Sequence, residues 1–436
     1  MNHNTTDILK ESLKLPHSLW VNTGIDLQDT TQLTQNIEVE ILIIGAGFTG
    51  LSSAIHLAEN GKMSVVLDAS EPGWGASGRN NGQVIAGLKQ DPDIIESLYP
   101  GEKGRKLVLF GSKAPSVVFD LVKKYNIPCS AKNSGWIQPA FTEKGAKAVY
   151  KRAKLWSERG IETTIVEDQL LHDYLGTSKY NVGWIDPRGG SVQPLNYARG
   201  LANVAYTLGV KVYSHSKVLK LENREGYWIA HTAQGQVKAR KIIVATGGYA
   251  EDLVPKLRKS IVPVRTAQVA TSVLSTEDQK IILPKGHVSS DTRELLTSFR
   301  LSPDGRLVMG GSGATAGLDH TKIVGYLHQS AAELFGKKID LKWDYAWSGY
   351  FAVTTDHLPH IHEPSKDMYV SVGCNGRGIA ISTALGIEMA KRVLGASANA
   401  LPIPVSQIKS VPFHEFRHFG VAIATTYKRF QDRMES

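Results

Sequence analysis

The sequence has little cysteine. Cys129 and Cys374 are the only two cysteines among its 436 residues. Two isolated cysteines cannot form a disulfide framework, and neither belongs to a Cys-x-x-Cys pair of the kind that binds metal. This usage is typical of a reducing compartment, and residues 1–35 form a polar leader without the apolar segment of a secretory signal. We therefore expect a cytoplasmic protein.

Long hydrophobic runs are also missing. No stretch reaches the roughly 18 apolar residues that a membrane-spanning helix needs, so no transmembrane segment is predicted. Apolar residues make up 42% of the chain and charged residues 21%, a balance that excludes a disordered chain and fits a folded enzyme. A chain of 436 residues is too long for one ordinary core, so we predict two domains.

The sequence also lacks a dense block of charges of one sign. The chain carries 50 Lys and Arg against 41 Asp and Glu, a net charge of +9, but the basic residues are spread along its length. No nucleic-acid-binding module accompanies them, so no nucleic-acid partner is predicted. The positive balance favours an anionic cofactor or substrate.

The strongest motif lies near the start of the chain. An apolar strand over residues 39–44 runs into Gly45, Gly47 and Gly50, which form G-x-G-x-x-G. A helix over 51–60 follows, and then a strand over 64–67 that ends at Asp68. Strand, glycine turn, helix, strand and acid in this order predict a dinucleotide-binding unit.

Each part of this unit has a physical task. The first glycine allows a tight turn, the second lets the backbone approach a pyrophosphate, and the third lets helix and strand pack closely. The helix directs free N–H groups and its positive dipole end at the phosphates. The carboxylate of Asp68 is placed to accept hydrogen bonds from a ribose and to repel a 2′-phosphate.

Three further segments are candidates for ligand contact. Residues 75–83 read Gly-Ala-Ser-Gly-Arg-Asn-Asn-Gly-Gln, in which Arg79 suits a phosphate and the amides suit a polar edge; an ordinary surface turn is the alternative. Ala245-Thr246-Gly247 ends a buried strand over 241–246, which follows a small meander over 217–238. Residues 373–378 place glycines directly before a helix, where N–H groups can stabilise an anion.

These motifs, with Asp304-Gly305-Arg306-Leu307 between them, resemble the FAD-dependent D-amino acid oxidase superfamily, and within it the gamma-glutamylputrescine oxidoreductase-like branch. The resemblance implies an α/β fold: a Rossmann-like FAD-binding domain of the GR2 type and a substrate domain built on an antiparallel sheet, the sheet that alternating residues over 261–312 also predict. The implied FAD-binding pieces are 36–92, 187–252 and 347–436, the last including a C-terminal helical tail, and the implied substrate-domain pieces are 93–186 and 253–346.

The same resemblance implies the cofactor contacts. FAD is expected to bind non-covalently, because the 75–83 loop has no histidine and Cys374 fits a small buried residue better than an attachment site. Asn81 departs from the glycine usual in the branch. The expected contacts are Gly45, Ala46, Gly47, Phe48, Thr49, Gly50, Asp68, Ala69, Ala76, Ser77, Gly78, Arg79, Asn80, Asn81, Gly82, Gln83, Val218, Ala245, Thr246, Gly247, Gly376, Arg377 and Gly378.

Candidates for the substrate site are fewer. Arg300 suits two-pronged pairing with a substrate carboxylate, with a surface salt bridge as the equal alternative. Aromatic side chains are candidates for the wall of the amine site or for plain core packing. The candidates beside Arg300 are Trp347, Tyr350, Cys374 and Asn375, with Trp136 and Tyr249 as further aromatic residues.

Two features receive other interpretations. His357, His360 and His362 offer a His-x-His pair, but no clear third ligand is visible, so no metal is predicted. A basic amphipathic helix over 413–434 is expected to dock on the protein's own core, with a partner or a membrane surface as alternatives.

The predicted reaction is oxidation of a C–N bond of a small amine or amino acid to an imine, with electrons passing to O2 or another acceptor. Three alternatives stay open: a membrane-peripheral dehydrogenase that reduces a quinone or carrier, an FAD-binding protein without turnover, and an NAD-dependent dehydrogenase.

Overall fold

The computed structural model describes residues 12–28, 30–312, 321–336, 338–412 and 414. The strands, in chain order, are β1 (Ile37–Ile44), β2 (Ser64–Leu67), β3 (Gln83–Val84), β4 (Trp136–Pro139), β5 (Thr164–Glu167), β6 (Val182–Asp186), β7 (Gly190–Ser191), β8 (Lys211–Tyr213), β9 (Lys220–Arg224), β10 (Tyr227–His231), β11 (Gln236–Val244), β12 (Val262–Thr271), β13 (Val288–Ser290), β14 (Thr297–Leu301), β15 (Leu307–Ser312), β16 (Trp343–Val353), β17 (His360–Ser365), β18 (Met368–Val372) and β19 (Val405–Ser406). The helices are α1 (Leu19–Asn22), α2 (Phe48–Glu59), α3 (Ala76–Arg79), α4 (Pro92–Leu98), α5 (Glu102–Tyr125), α6 (Glu143–Ser157), α7 (Asp168–Leu175), α8 (Pro194–Thr207), α9 (Thr276–Gln279), α10 (Thr321–Phe335) and α11 (Gly378–Val393).

The first sheet is built around parallel strands. Its path is β19-β17-β18-β11-β1-β2-β8, and β10 and β9 extend it from β11. The C-terminal half of β1 is buried, as expected of a strand covered on both faces. Helices α2, α8 and α11 pack together over one face. The predicted strand–turn–helix–strand unit is confirmed. The last strand of the predicted meander and the buried strand predicted after it are one continuous strand, β11.

The second sheet follows the order β16-β12-β15-β14-β13-β4-β6-β5. Its pairs are antiparallel except β13 with β4, which run parallel. The predicted antiparallel sheet over 261–312 is confirmed, and strands from 136–186 join it. Strand β16 belongs to this sheet, so the expected boundary at residue 347 falls inside a strand. Helix α5 packs on α11 and so lies against the core of the first sheet.

The described part of the N-terminal segment is part of the folded protein, so the interpretation of 1–35 as a polar leader is wrong for it. Leu19, Trp20 and Leu33 are each 0% exposed. Backbone N–H groups in this segment donate to distant side chains, for example Leu33 N to Ser216 Oγ at 2.9 Å. A few large apolar residues in a polar stretch carry this packing, which is why average composition hid it.

Two predictions concern the C-terminal helix and a membrane-spanning segment. The predicted helix over 413–434 lies outside the described residues, apart from His414. In the described ranges, no helix combines the length and the apolar character needed to cross a bilayer.

We predict that Leu33→Ala lowers the free energy of unfolding by about 2–5 kcal/mol, because it leaves a cavity in packed core. Leu13→Ala is the matched control in the same segment: Leu13 is 49% exposed, so its truncation should change stability by no more than about 0.5 kcal/mol. Equilibrium denaturation of both variants measures the difference. Equal stabilities would contradict a packed N-terminal segment.

Candidate functional site

The glycine turn between β1 and α2 excludes side chains at two positions. A Cβ on Gly50 would lie 1.9 Å from the Gly45 carbonyl oxygen, and a Cβ on Gly45 would lie 2.7 Å from that of Ala245. Gly45 also has a φ of +107°, which side-chain-bearing residues rarely adopt. The turn therefore lies directly against the first turn of α2 and the end of β11.

The first turn of α2 lies beside an open space. Gly47 is the N-cap residue and supplies no side-chain hydrogen bond. Phe48 N donates to Ser77 Oγ at 3.1 Å, which ties the helix to the loop of residues 73–83. The helix dipole leaves partial positive charge at this end, which suits an anion such as a phosphate.

The space beside this turn is a cavity of about 1310 Å³, its open mouth included, which we call the glycine-turn cavity. Its walls come from the turn, the ends of β2 and β11, and the segments after β8 and β18. The predicted cofactor residues that line it are Gly45, Ala46, Gly47, Phe48, Thr49, Asp68, Ala69, Ala76, Ser77, Val218, Ala245, Thr246 and Gly247.

Asp68 connects two loops of this cavity. One carboxylate oxygen accepts from Ala46 N at 2.7 Å and the other from Ser70 N at 2.9 Å. Burial raises the pKa of Asp68, and the two backbone N–H groups act in the opposite direction. Each oxygen keeps a further lone pair, so the carboxylate can accept from the hydroxyl groups of a ribose.

A second cavity, the sheet cavity, continues from the first. It encloses about 1000 Å³ with its mouth and lies between the 73–83 loop, α11 and the second sheet. Six residues line both cavities: Phe48, Ala76, Ser77, Phe351, Cys374 and Ser382. The two spaces therefore form one elongated site that starts at the glycine turn and ends under the antiparallel sheet.

The sheet contributes a polar row to this second cavity. Gln268, Gly310, Ser298 and Ser290 stand side by side on neighbouring strands. Three of them line the cavity, while a Cβ on Gly310 would lie 2.1 Å from Gln268 Oε1. The glycine therefore leaves room in the row for the side chain of Asn81, whose Nδ2 donates to Gln268 Oε1 at 3.1 Å.

Hydrogen bonds fix the direction of this amide pair. Thr266 Oγ1 donates to the Gly311 carbonyl at 3.0 Å and accepts from Gln268 Nε2 at 2.9 Å. Because the Gly311 carbonyl oxygen can only accept, every donor in this series of hydrogen bonds points toward Gly311. The amide oxygen of Asn81, Oδ1, is therefore left at the other end of the series as a free acceptor position. Neither Asn81 Oδ1 nor Gln83 Oε1 has a donor among the described residues, although both atoms are buried.

Apart from Arg79, the remaining predicted cofactor residues divide into two groups. Asn80, Asn81, Gln83, Gly376 and Gly378 line the sheet cavity. Gly50, Gly78, Gly82 and Arg377 line neither cavity. The glycines among them permit close packing, since a Cβ on Gly78 would lie 2.3 Å from the Gly73 carbonyl oxygen and one on Gly82 2.3 Å from Arg300 Nη1. Arg377 donates to the Ala86 carbonyl, and burial lowers its pKa to about 10.

The structure places Arg79 differently from the phosphate contact for which the sequence made it a candidate. Its side chain lines the sheet cavity and not the glycine-turn cavity. Its Nε donates to the Trp74 carbonyl at 2.7 Å, Nη1 donates to the Ser348 carbonyl at 3.3 Å, and the guanidinium lies 4.4 Å from the Trp74 ring centroid. The guanidinium therefore holds protein backbone rather than facing the helix end where phosphate is expected.

Two substrate-site candidates also need correction. Arg300 is 1% exposed, and its Nη1 donates to the carbonyls of Gly82 at 3.0 Å and Val192 at 2.7 Å. Trp347 is equally buried and donates to the Arg79 carbonyl at 3.0 Å. Neither side chain lines the glycine-turn cavity or the sheet cavity, and the guanidinium that was expected to pair with a substrate carboxylate binds backbone carbonyls instead.

The other candidates lie at or behind the site. Tyr350 lines the sheet cavity and its hydroxyl accepts from Arg265. Cys374 lies where the two cavities meet, and burial raises the pKa of its thiol. Asn375 lies behind the wall, where its Oδ1 accepts from Thr354 N at 3.0 Å. Tyr249 lines the glycine-turn cavity.

Contacts within the protein account for Trp136 and for two of the three histidines. Trp136 packs edge-to-face on Trp184 and donates to Ser290 Oγ. His360 bonds to Asp356 and Ser406, and His362 bonds to the Ser406 carbonyl. Within the described ranges, no group of three or more His, Cys, Asp and Glu could hold a metal ion.

Sequence reasoning missed several cavity residues. Phe351 and Ser382 carry no motif, and they reach the site only because β16 and α11 converge there. Thr266, Gln268 and Ser298 had a weak signal: polar residues two apart on a strand mark one face of a sheet. The sequence alone could not tell whether that face meets solvent or a cavity.

Comparisons with known proteins agree with this geometry. A sequence model of the family described as "DAO: FAD dependent oxidoreductase" matches residues 40–392. Gamma-glutamylputrescine oxidoreductase of Escherichia coli (strain K12) is 29% identical over 412 residues, which cover 92% of this chain and 95% of that protein. The probable oxidoreductase OrdL of Haemophilus influenzae is 30% identical and covers 83% of this chain and 84% of its own.

Solved structures share the fold. The crystal structure of glycine oxidase from Geobacillus kaustophilus superposes with a TM-score of 0.71 at 19% identity, covering 85% of this chain and 98% of that one. An L-amino acid deaminase from Proteus vulgaris gives a TM-score of 0.69 at 20% identity, covering 88% and 97%.

We predict that Gly50→Ala weakens dinucleotide binding by about tenfold or more, because the added methyl group displaces α2 from the turn at an overpacking cost of about 1–3 kcal/mol. Gly325→Ala is the control: it lies in α10 and a Cβ there meets nothing within 4 Å. Fluorescence titration of the cofactor-free variants with FAD measures both affinities. Unchanged affinity in Gly50→Ala would contradict the assignment of the turn.

Proposed function

Since this chain belongs to the DAO family of FAD-dependent oxidoreductases, as its motifs predicted, we propose that it oxidises a small amine whose reacting carbon carries no carboxylate. The family acts on C–N bonds of amines and amino acids with FAD. A substrate similar to gamma-glutamylputrescine is the specific proposal, supported by the name of the Escherichia coli relative. The proposed product is an imine, which water hydrolyses, and the proposed electron acceptor is O2.

The charge of the sheet cavity carries this proposal. Among the described residues that line it, Arg79 is the one charged side chain, and its guanidinium holds backbone carbonyls. A carboxylate moved from water into such a space needs a cation with bidentate geometry to offset its desolvation. Hydroxyl and amide groups suit an uncharged amine better, since they both donate and accept.

The residues present fit FAD in the glycine-turn cavity. The turn leaves no room for a Cβ at Gly45 or Gly50, the end of α2 suits the diphosphate, and Asp68 suits the ribose. We propose that binding is non-covalent, because the raised thiol pKa of Cys374 disfavours the reactive thiolate. FAD supplies the capacity to accept a hydride from the carbon next to a neutral amine.

The chain's own residues then prepare the amine. In the proposed arrangement, Asn81 Oδ1 accepts from an amine N–H. The hydrogen bonds from Asn81 to Gln268 and from Gln268 to Thr266 hold the Asn81 amide with its oxygen toward the amine. None of the described residues that line the wall has a carboxylate. A carboxylate there would favour the charged form of the amine and so raise the pKa of the amine. The site therefore favours the neutral amine that the reaction requires.

We also propose a division of labour between the two sheets. The first sheet with α2, α8 and α11 holds FAD, and the second sheet covers the substrate. In this proposal the third FAD-binding piece begins after Val353, where β16 ends.

An anaerobic flavin-bleaching screen tests the proposed function. We expect gamma-glutamyl amines or polyamines to bleach the flavin at least about tenfold faster than D-amino acids. In a D-amino acid the carboxylate is bonded to the reacting carbon and must enter the cavity unpaired, at a cost of more than the 1.4 kcal/mol that a factor of ten represents. Polyamines have no carboxylate, and that of a gamma-glutamyl amine lies at the far end of the molecule from the reacting carbon. Faster bleaching by D-amino acids would overturn the substrate proposal. Hydrogen peroxide formed during turnover in air tests the acceptor, and turnover without peroxide would exclude O2.

Asn81→Asp tests the neutral-amine arrangement. A carboxylate at this position should shift the acidic limb of the pH profile of flavin reduction to higher pH by about 1–3 units, because it raises the amine pKa. Asn223→Asp is the control, since Asn223 is exposed on β9 and its charge is screened. A profile of Asn81→Asp that coincides with the wild type would place the amine elsewhere.

A further inference from the structure

We propose that Trp20 and Trp347 are positioning residues that hold the loop of residues 79–83 in the shape that the sheet cavity requires. The proposal rests on the FAD site proposed above, because residues of this loop line the sheet cavity, which continues from the glycine-turn cavity. It gives the N-terminal segment a role in the site that neither its polar composition nor its distance in sequence indicates.

The two indole groups hold adjacent carbonyls of the same loop. Trp20 Nε1 donates to the Asn80 carbonyl at 2.8 Å, and Trp347 Nε1 donates to the Arg79 carbonyl at 3.0 Å. The two rings meet edge-to-face with centroids 5.7 Å apart, and the side chains are 0% and 1% exposed. An indole N–H can only donate, so each ring fixes one carbonyl without a competing arrangement.

Each tryptophan is itself anchored in a different part of the protein. Trp347 lies in β16, at the edge of the second sheet. Trp20 lies in α1, whose N-cap Ser18 accepts from Val21 N, and the Trp20 carbonyl accepts from Gln193 Nε2 at 2.9 Å. The loop is thus tied both to the substrate sheet and to the N-terminal segment.

Further hydrogen bonds at Gly82 connect the two fixed carbonyls to the part of the loop that lines the sheet cavity. Asn80 Oδ1 accepts from Gly82 N at 2.9 Å, and Arg300 Nη1 donates to the Gly82 carbonyl. Between these fixed points lies Asn81, which lines the sheet cavity and donates to Gln268. Release of either carbonyl therefore frees the segment that places the Asn81 amide against the substrate sheet.

Phenylalanine substitutions separate this role from packing, since Trp20→Phe and Trp347→Phe keep an aromatic ring and remove the N–H donor. Trp228→Phe is the matched control. Trp228 Nε1 also donates to a backbone carbonyl, that of Lys366 at 3.2 Å, and the residue is 7% exposed. It lies in β10 of the first sheet and lines neither of the two cavities.

Hydrogen exchange and the flavin spectrum of the holoenzyme provide the readouts. We expect peptides covering residues 76–84 to exchange about tenfold faster in Trp20→Phe and Trp347→Phe, the fold-change that loss of one buried hydrogen bond allows. The visible flavin band should shift and flavin reduction by the best amine should slow about tenfold, with FAD content unchanged. Trp228→Phe should show none of these changes at a comparable loss of thermal stability.

Three results would overturn the proposal: unchanged exchange over 76–84, an equal slowing of flavin reduction in Trp228→Phe, or a loss of activity that matches a loss of bound FAD. Exchange and the flavin band need no substrate. If no amine bleaches the wild-type flavin while both readouts change as expected, the proposed function fails and the positioning role stands.

Discussion

The contact between Gly50 and the carbonyl of Gly45 is the constraint on which the site depends. With no Cβ between them, α2 begins directly at the end of β1 and directs its N-terminal end into the glycine-turn cavity. Asp68 holds the same turn from the other side through Ala46 N. A side chain at Gly50 would separate helix and strand, and the helix dipole, the acid and the cavity would no longer meet.

The loop of residues 73–83 makes one site out of two sheets. It closes the glycine-turn cavity through Ser77 and walls the sheet cavity through Asn81 and Gln83. Its carbonyls are held by Trp20, Trp347 and Arg300, donors from three separate segments. Arg79 and Arg300 bind backbone carbonyls, and the wall of the sheet cavity combines apolar side chains with uncharged hydroxyl and amide groups. In the proposed function, this uncharged wall selects an amine rather than an α-amino acid.

Patterns local in sequence predicted much of this architecture. The strands Ser64–Leu67 and Met368–Val372 lie where predicted, because apolar β-branched runs bounded by turns decide such strands locally. The glycine turn and Asp68 were predictable because their spacing reflects one compact unit. Contacts between distant residues were not: Trp20 and Asn80 are 60 positions apart, and Arg300 and Gly82 are 218 apart. The sequence marked Arg79, Arg300 and Trp347 as candidates for ligand contact. It could not show that these side chains donate hydrogen bonds to backbone carbonyls instead.

A crystal structure of the purified holoenzyme with a bound unreactive amine analogue would show directly whether FAD and the amine share the joined cavities. We expect FAD along the joined cavities, with its diphosphate at the N-terminal end of α2 and its ring beside residues 79–83. We expect the amine nitrogen within hydrogen-bond distance of Asn81 Oδ1, under the row that contains Gln268 and Ser298. An analogue whose carboxylate pairs with Arg79, or a glycine-turn cavity filled by protein side chains, would contradict these expectations.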